Sequence, residues 1–309
     1  MDLELRPFRL PLRTTFRGLT ERTGLLVRRD ERWAEFSPFE DYPPHLRRRW
    51  FQATMEHLED HQAETLRDRV PVNVTVPAIG PGDSHALVRR SGCTTAKVKV
   101  GDAGDEARVE AVRDALGPEG KLRIDVNARW SVDEATRRLR TLGRYDLQYA
   151  EQPVGTLDEM RALRQRVDVP LAVDESLRTA PEPELIDIMG AADVAVLKVA
   201  PLGGIERTLR LAERLEIPVV ISSALETSVG MAAGIMCAAR LPELDLACGL
   251  GTVALFEDDL ARDPLVAREG WIEVRVPAVD EAALARNELT GPEAERLCSW
   301  FTAEMAAVR

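Results

Sequence analysis

The feature that most constrains the fold is a repeat of short, β-branched segments, each followed by a segment with helical spacing. Eight such strand candidates lie at residues 72–78, 96–101, 122–127, 147–153, 170–176, 194–201, 218–224 and 246–252. Between them lie amphipathic segments such as DEARVEAVRDALG and IERTLRLAERLE, whose apolar residues recur with the period of a helix. This alternation predicts parallel βαβ units.

An open doubly wound sheet and a closed barrel both contain such units. Eight strand candidates within residues 71–270 match the size of a (β/α)8 barrel. No G-x-G-x-x-G fingerprint follows the first strand candidate, which disfavours a dinucleotide-binding sheet. The sequence therefore predicts an α/β fold of the (β/α)8 TIM-barrel type over residues 71–270.

The two flanks of the repeat follow a different pattern. Residues 1–70 contain two strand candidates around the polar turn RRDER and then a long helical stretch over residues 43–68, which together predict an α+β domain. Residues 271–309 hold one strand candidate and a terminal helix. We expect this tail to pack back on the N-terminal domain, because it has no place among the eight repeats.

Ionisable residues occur near the carboxyl ends of five consecutive strand candidates. They are separated by 23 to 26 residues, about one βα unit each, and are Lys99, Asp125, Glu151, Asp174 and Lys198. A barrel brings the carboxyl ends of all its strands to one mouth, where active sites form. The spacing therefore predicts that these five side chains share one cavity.

The three carboxylates of this set indicate a metal site. Adjacent anions repel each other unless a cation lies between them, and a set of oxygen ligands without His or Cys suits Mg²⁺, with Mn²⁺ as a substitute. Salt bridges to Lys99 and Lys198 are the alternative. Strand alternation lets only one of Asp174 and Glu175 face inward, and the sequence pattern does not choose between them.

The lysines indicate acid–base chemistry. Lys97 and Lys99 lie on the same face of their strand. A lysine acts as a base only when its pKa falls from about 10.4 toward neutrality, and a second ammonium group nearby favours that. Together with a divalent ion that holds a substrate carboxylate and its enediolate, these residues predict proton abstraction next to a carboxylate.

Charge and composition restrict the classes of molecule that the chain is expected to bind. The net charge is −11 and the pI is about 5.1, so we expect neither nucleic acid nor a membrane surface as a partner. The net charge does not bear on a small anionic substrate, and the lysines and carboxylates of the cluster predict a small-molecule carboxylate as substrate. The N-terminus lacks the apolar region of a signal peptide, which predicts a cytoplasmic protein. The sequence does not specify the oligomeric state, and a monomer is compatible with it.

The motifs KVK (97–99), DVN (125–127), EQP (151–153), DES (174–176) and LKVAPLGG (197–204) resemble those of the enolase superfamily, in its muconate-lactonising branch. The resemblance covers nearly the whole chain. It implies a modified, enolase-like TIM barrel with an α+β capping domain formed by the N-terminal segment and the C-terminal tail. It also implies that Asp125, Glu151 and Asp174 bind Mg²⁺, and that Lys99 is the base with Lys198 as its counterpart.

Within that branch the segments SSALETSVG (222–230) and GLGT (249–252) are most similar to the o-succinylbenzoate synthase family. The implied reaction is a syn-dehydration that yields o-succinylbenzoate for menaquinone synthesis. Residues expected to contact the substrate, or to support residues that do, are Lys97, Asn127, Gln152, Ser222, Ser223, Gly249 and Gly251. Arg13 and Arg17, on the expected capping loop, are weaker candidates.

Two other activities fit the same residues. An N-acylamino-acid or N-succinylamino-acid racemase would use both lysines as acid–base groups on opposite faces of the substrate. A muconate cycloisomerase would use the same metal site. Since dehydration needs Lys198 only as a cation, whereas racemisation needs it to exchange protons, deuterium exchange distinguishes the synthase from the racemase.

Overall fold

The computed structural model describes residues 3–59 and 64–307. The chain begins with a three-stranded antiparallel sheet, followed by a helix and a short strand. Its elements are β1 (Glu4–Phe16), β2 (Leu19–Arg29), β3 (Arg32–Phe36), α1 (Pro44–Leu58) and β4 (Arg69–Pro71). The turn between β2 and β3 falls within RRDER, as the sequence predicts. The predicted helix over 43–68 ends at Leu58 in the described residues, and its part over 60–63 lies outside them.

Seven parallel strands then form one curled sheet in the order β11-β10-β9-β8-β7-β6-β5. The strands are β5 (Val74–Val76), β6 (Thr95–Lys99), β7 (Lys121–Asp125), β8 (Leu147–Glu151), β9 (Leu171–Val173), β10 (Val194–Lys198) and β11 (Val219–Ser222). The helices between and after them are α2 (Pro81–Ser91), α3 (Asp105–Leu116), α4 (Val132–Leu142), α5 (Leu157–Arg164), α6 (Glu175–Arg178), α7 (Val199–Leu202), α8 (Ile205–Arg214) and α9 (Ser228–Arg240). The alternation predicted from the sequence is confirmed.

Local capping explains where several of these helices begin. Ser131 precedes α4 and accepts a hydrogen bond from the backbone N–H of Glu134. Thr156 and Glu159 form a reciprocal capping box at the start of α5, which satisfies backbone donors that the first turn leaves free. These polar caps fix where α4 and α5 begin, a short loop after the ends of β7 and β8 respectively.

The eighth predicted strand, at residues 246–252, is much shorter than expected. Only Cys248 and Gly249 make parallel bridges, to Val72 and Ser222 respectively, and these bridges connect the two edges of the curled sheet. A side chain at Gly249 would place its Cβ 2.4 Å from Ser222 Oγ, so this close contact requires glycine. The chain then turns into a 3₁₀ helix at Thr252–Leu255, which ends the pairing while the barrel architecture is kept.

The C-terminal tail returns to the N-terminal part of the chain, as expected. Its elements are β12 (Trp271–Glu273), α10 (Glu281–Arg286) and α11 (Pro292–Ala307). On α11, the Phe301 ring lies 5.3 Å from Phe36 and 5.0 Å from Phe51 between centroids. Because β12 pairs with β4, we propose that the chain crosses between the two domains at this ladder, with domains at 1–70 and 71–270 and a tail at 271–309.

The most apolar helix, α9, belongs to the core. Nine of its thirteen residues are buried, and it packs against β11, β3 and α8. Across residues 3–59 and 64–307, no helix has both the length and the apolar character that crossing a membrane requires.

Candidate active site

The five predicted residues lie together at the carboxyl-terminal mouth of the barrel. Parallel registers place Lys99 beside Asp125, and Asp125 beside Glu151. Asp174 directly follows β9, and Lys198 is the last residue of β10. All three carboxylates are at most 1 % exposed. Residues that are one βα unit apart in the sequence therefore form one cluster of charges, because each unit returns the chain to the same edge of the sheet.

Each lysine of the cluster pairs with a carboxylate. Lys97 Nζ lies 2.9 Å from Glu151 Oε2 and 3.4 Å from Asp125 Oδ2. Lys99 Nζ donates to Asp125 Oδ2 at 2.5 Å and to Asn127 Oδ1 at 2.7 Å. Across the mouth, Lys198 Nζ donates to Asp174 Oδ2 at 2.6 Å. In this arrangement the positive and negative charges of the buried mouth largely compensate each other.

The two lysines of β6 have different electrostatic surroundings. Burial lowers the pKa of Lys99, and the positive charge of Lys97 lowers it further against the opposing pull of Asp125. Burial also disfavours the charged form of Lys97, but Glu151 and Asp125 outweigh it and raise the pKa of Lys97. Lys99 is thus the lysine of this strand that gives up its proton more readily.

The carboxylates also differ from one another. Burial and the negative charges of Asp125 and Asp174 raise the pKa of Glu151 to about 7, against the opposing effect of Lys97. Burial also disfavours ionised Asp125, but the lysines around it lower its pKa. The negative charge of Glu151 is therefore the one that neighbouring cations compensate least. An additional positive charge nearby would favour its ionised form.

The chemical type of the donor set fits a divalent cation. Among the described residues, no three Asp, Glu, His or Cys side chains converge closely enough to hold a metal as they are oriented here. Instead, the Lys97 ammonium group lies between Asp125 and Glu151 and contacts both, which marks this space as one that a cation can occupy. Three oxygen donors on adjacent strands are the ligands that Mg²⁺ or Mn²⁺ prefers.

Arg178 is a central residue of the site that the sequence analysis missed. Its guanidinium is 1 % exposed and donates to Asp174 Oδ1 at 2.7 Å, to Glu175 Oε1 at 2.8 Å and to the Tyr42 hydroxyl at 2.5 Å. Burial opposes the ionisation of Asp174, but Arg178 and Lys198 together lower its pKa. The available signal was the spacing, since Arg178 follows Asp174 by one helical turn.

Glu175 turns toward the neighbouring loop. It accepts a hydrogen bond from Asn127 Nδ2 at 3.0 Å, while Oδ1 of the same Asn127 amide accepts a hydrogen bond from Lys99 Nζ. This gives Asn127 a fixed orientation, with its oxygen toward the lysine. Gln152, fully buried, accepts hydrogen bonds from the backbone N–H groups of Asp174 and Ser176 at 3.0 and 3.1 Å and so ties the loops after β8 and β9 together.

A small cavity of about 30 Å³ is lined by Lys97, Lys99 and Lys198. From the barrel its lining includes Ser222, Ser223 and Gly249, in addition to the charged residues. Gly251 instead packs on the backbone of Asn73, where a Cβ would lie 2.7 Å from the carbonyl oxygen. This volume has room for no more than a few water molecules, so a larger substrate requires the cavity to open.

The cavity is closed from above by the N-terminal domain. Phe16, Arg17 and Phe39 line it, the Arg17 guanidinium lies 4.3 Å from the Phe39 ring centroid, and Lys99 Nζ lies 5.2 Å from that of Phe16. Arg13 is exposed and donates to the backbone carbonyl of Glu257, away from the cavity. Of the two arginines considered from the sequence, only Arg17 is at the site.

Two family models match the chain. Residues 83–278 match the enolase C-terminal domain-like family, and residues 8–57 match the enolase N-terminal domain-like family. The first match covers most of the barrel and the second covers most of the N-terminal sheet and α1. Enzymes of this superfamily work with a divalent metal ion.

Curated relatives are similar along almost their whole length. An o-succinylbenzoate synthase of Thermobifida fusca is 53% identical over 289 residues, which cover 92% of this chain and 91% of the relative. An o-succinylbenzoate synthase of Mycolicibacterium smegmatis is 44% identical over 305 residues, which cover 96% and 92%.

Solved structures share the fold at lower sequence identity. A muconate lactonizing enzyme from Pseudomonas fluorescens, in complex with muconolactone, has a TM-score of 0.80 at 22% identity, covering 93% of this chain and 98% of that one. An N-succinyl Arg/Lys racemase from Bacillus cereus has a TM-score of 0.77 at 21% identity, covering 93% and 97%. The chain thus belongs to the enolase superfamily and, within it, to the o-succinylbenzoate synthase family.

Proposed function

We propose that this protein is an o-succinylbenzoate synthase. It catalyses the Mg²⁺-dependent syn-dehydration of 2-succinyl-6-hydroxy-2,4-cyclohexadiene-1-carboxylate to o-succinylbenzoate, a step of menaquinone synthesis. The observation that supports this most strongly is the 53% identity to the Thermobifida fusca synthase along 92% of the chain. The half-buried Lys99 and the buried Lys198, which line one cavity, give the reaction its acid–base group and its cation.

Lys99 is proposed as the general base. Its pKa is lowered by burial and by Lys97, which increases the fraction of neutral amine near neutral pH. The Asn127 oxygen at 2.7 Å holds the amine in one orientation. After removing the proton next to the carboxylate, Lys99 returns it to the departing hydroxyl on the same face, so that one group serves both steps of a syn elimination.

Lys198 is proposed as the cation on the opposite face. Its ammonium group is fixed by Asp174 at 2.6 Å and is 9 % exposed as a side chain. A buried, oriented positive charge stabilises the negative charge that develops when the proton leaves. Dehydration needs no proton transfer from this residue.

Asp125, Glu151 and Asp174 are proposed as the ligands of the metal ion, with Mg²⁺ as the physiological ion and Mn²⁺ as a substitute. When bound, the ion supplies positive charge to the substrate carboxylate. The ammonium group of Lys97 compensates the negative charges of Asp125 and Glu151. Gln152 and Asn127 orient the loops at the metal ligands.

The substrate's anionic groups are proposed to contact Lys97, Ser222, Ser223, Gly249 and Gly251, of which all but Gly251 line the cavity. Because the cavity is small, Phe16 and Arg17 must move away for the substrate to bind. We further propose that the enzyme acts in the cytoplasm, without nucleic-acid or membrane partners.

The test is a spectrophotometric assay. Loss of the cyclohexadiene absorbance with Mg²⁺ present, and no loss after EDTA treatment, is the expected result. An active enzyme that is insensitive to EDTA would contradict the metal-dependent mechanism. An enzyme without turnover on this substrate would contradict the assignment to the synthase reaction and leave the superfamily membership unchanged.

A second candidate activity is racemisation of N-acylamino or N-succinylamino acids. The observation that favours it is the presence of lysines on both sides of the cavity, Lys99 and Lys198, each buried against a carboxylate. Racemisation would incorporate solvent deuterium into an N-succinylamino acid through both lysines. Absence of exchange in an enzyme that dehydrates the cyclohexadiene would exclude it.

A further inference from the structure

The loop that follows β11, residues 223–227, forms one wall of the catalytic cavity. Ser223, Ala224 and Leu225 line the cavity together with Lys99 and Lys198. Leu225 is 2 % exposed and has a φ of +66°, a left-handed backbone conformation that is costly for a side chain of this size. Such a conformation persists only where the surrounding contacts hold it.

The end of this loop, at Thr227, is held by Glu35 on β3 of the N-terminal sheet. Glu35 Oε2 accepts hydrogen bonds from the Thr227 backbone N–H at 3.0 Å, the Thr227 hydroxyl at 2.6 Å and the Gly230 N–H at 3.2 Å. Glu35 Oε1 accepts from the Ser37 hydroxyl at 2.5 Å. A carboxylate of the N-terminal domain therefore occupies the start of α9, where free N–H groups favour an anion.

Gly230 leaves the space that this contact needs. A Cβ at this position would lie 2.8 Å from Glu35 Oε2, closer than real contacts of this kind allow. Glu35 itself is only 6 % exposed. The contact is thus built from both sides, by a buried carboxylate on one domain and by a residue without a side chain on the other.

A second contact comes from Arg22 on β2. Its Nε donates to the backbone carbonyl of Leu225 at 3.1 Å, and another of its nitrogens donates to the carbonyl of Ser37. The guanidinium lies 4.2 Å from the ring centroid of Phe39, which also lines the cavity. Arg22 therefore holds the strained residue of the loop and one residue of the cavity roof at the same time.

We propose that Glu35 and Arg22 are positioning residues that hold loop 223–227 in the shape the substrate binds. The inference rests on the proposed function, because it assigns the cavity to that substrate. It predicts that loss of either contact weakens substrate binding more than it slows the chemical step, since neither residue touches Lys99 or Lys198.

The chain offers a matched control in Glu56 on α1. Glu56 makes the same kind of contact with the start of α8, through the backbone N–H groups of Ile205 and Glu206. Gly204 leaves the space for it, as Gly230 does for Glu35. None of the described residues between Lys198 and Ile205 lines the catalytic cavity, so the Glu56 contact joins the two domains without shaping the site.

The experiment compares Glu35→Ala, Glu35→Gln and Glu56→Ala in the full-length enzyme with Mg²⁺. We expect Glu35→Ala to raise KM for the cyclohexadiene substrate about tenfold, as the loss of one to three buried hydrogen bonds would do, with kcat changed less than about threefold. Glu35→Gln keeps an oxygen for Thr227 and Gly230 and should restore a KM near that of the wild type. Glu56→Ala should lower the melting temperature and leave KM unchanged.

Amide hydrogen exchange provides a readout that does not depend on turnover. Glu35→Ala should accelerate exchange at Thr227 and Gly230, whereas Glu56→Ala should accelerate it at Ile205 and Glu206. If Glu35→Ala does not fold, Thr227→Val carries the same test, with Thr227→Ser as its control because serine keeps the hydroxyl.

An unchanged KM in Glu35→Ala, or an equal rise in KM in Glu56→Ala, overturns the positioning role. A wild type without turnover overturns the proposed function instead. The positioning role is then decided by hydrogen exchange alone, and unchanged exchange at Thr227 and Gly230 in Glu35→Ala would overturn it.

Discussion

Replacing Arg178 with methionine is a demanding test of how the site is held together. Arg178 is buried and bonds to Asp174, Glu175 and the Tyr42 hydroxyl. Methionine fills a similar volume but offers no donor, so Asp174 keeps only Lys198 as a charged partner and Glu175 loses its cation. Removing one member of a buried, hydrogen-bonded charge group costs about 3–5 kcal/mol.

This loss of stability should lower the melting temperature by a measurable amount. With an unfolding entropy of about 2.1 cal/mol/K per residue, a chain of 309 residues has a total of about 0.65 kcal/mol/K at the midpoint. A loss of about 3–5 kcal/mol therefore lowers the melting temperature by about 5–8 °C. Because Arg178 also orients Asp174, the affinity for Mg²⁺ should fall about 10-fold to 100-fold, as it does when residues that hold metal ligands are removed.

Differential scanning calorimetry and Mg²⁺ titration by isothermal calorimetry measure the two effects. Arg166→Met is the matched control, since Arg166 pairs with Asp133 at the surface, with 46 % and 88 % of the two side chains exposed. Such a pair contributes about 0–1 kcal/mol. If Arg178→Met melts within 1 °C of the wild type and binds Mg²⁺ equally well, the role assigned to Arg178 is wrong.

Three further outcomes follow from the structure. Burial raises the pKa of Glu35 to about 7, so the folded protein holds a proton there that the unfolded chain releases near pH 4.5. The free energy of unfolding of the wild type, relative to that of Glu35→Gln, should therefore fall by up to about 3 kcal/mol from pH 5 to pH 8. A difference that stays constant with pH in urea titrations would refute this. Gly249→Ala should lower the free energy of unfolding by about 1–3 kcal/mol, because its Cβ meets Ser222. Gly82→Ala, with open space around it, should be neutral or stabilising, and equal melting temperatures of the two variants would contradict the close contact at Gly249. EDTA should abolish turnover, and added Mg²⁺ or Mn²⁺ should restore it in rate assays, whereas recovery with neither ion would argue against the proposed ligands.

The sequence was sufficient to predict the barrel and the cluster of charges at its mouth. Both depend on a period, and a period is visible in the chain itself: Lys99, Asp125, Glu151, Asp174 and Lys198 recur once per βα unit. Strand alternation did not decide which of Asp174 and Glu175 faces the interior of the barrel. The structure places Asp174 beside Lys198 and turns Glu175 toward Asn127, because α6 begins immediately after Asp174.

Contacts between distant parts of the chain were not predictable in the same way. Tyr42 meets Arg178 across 136 positions and Glu35 meets Thr227 across 192, and no local pattern relates such residues. The eighth strand was overestimated because the repeat period predicted it, although the segment LACGLGT (246–252) contains only one β-branched residue, Thr252. Gly249 and Gly251 shorten it through close backbone approaches, which depend on the geometry of barrel closure.

Turnover of Lys99→Ala tests whether Lys99 is the general base. We predict a kcat about 10²-fold to 10⁴-fold below that of the wild type, in a protein that retains its fold by circular dichroism and still binds Mg²⁺. Lys121→Ala, at the exposed start of β7, is the control and should retain full activity. Full turnover by Lys99→Ala would contradict the assignment of Lys99 as the base and, with it, the proposed mechanism.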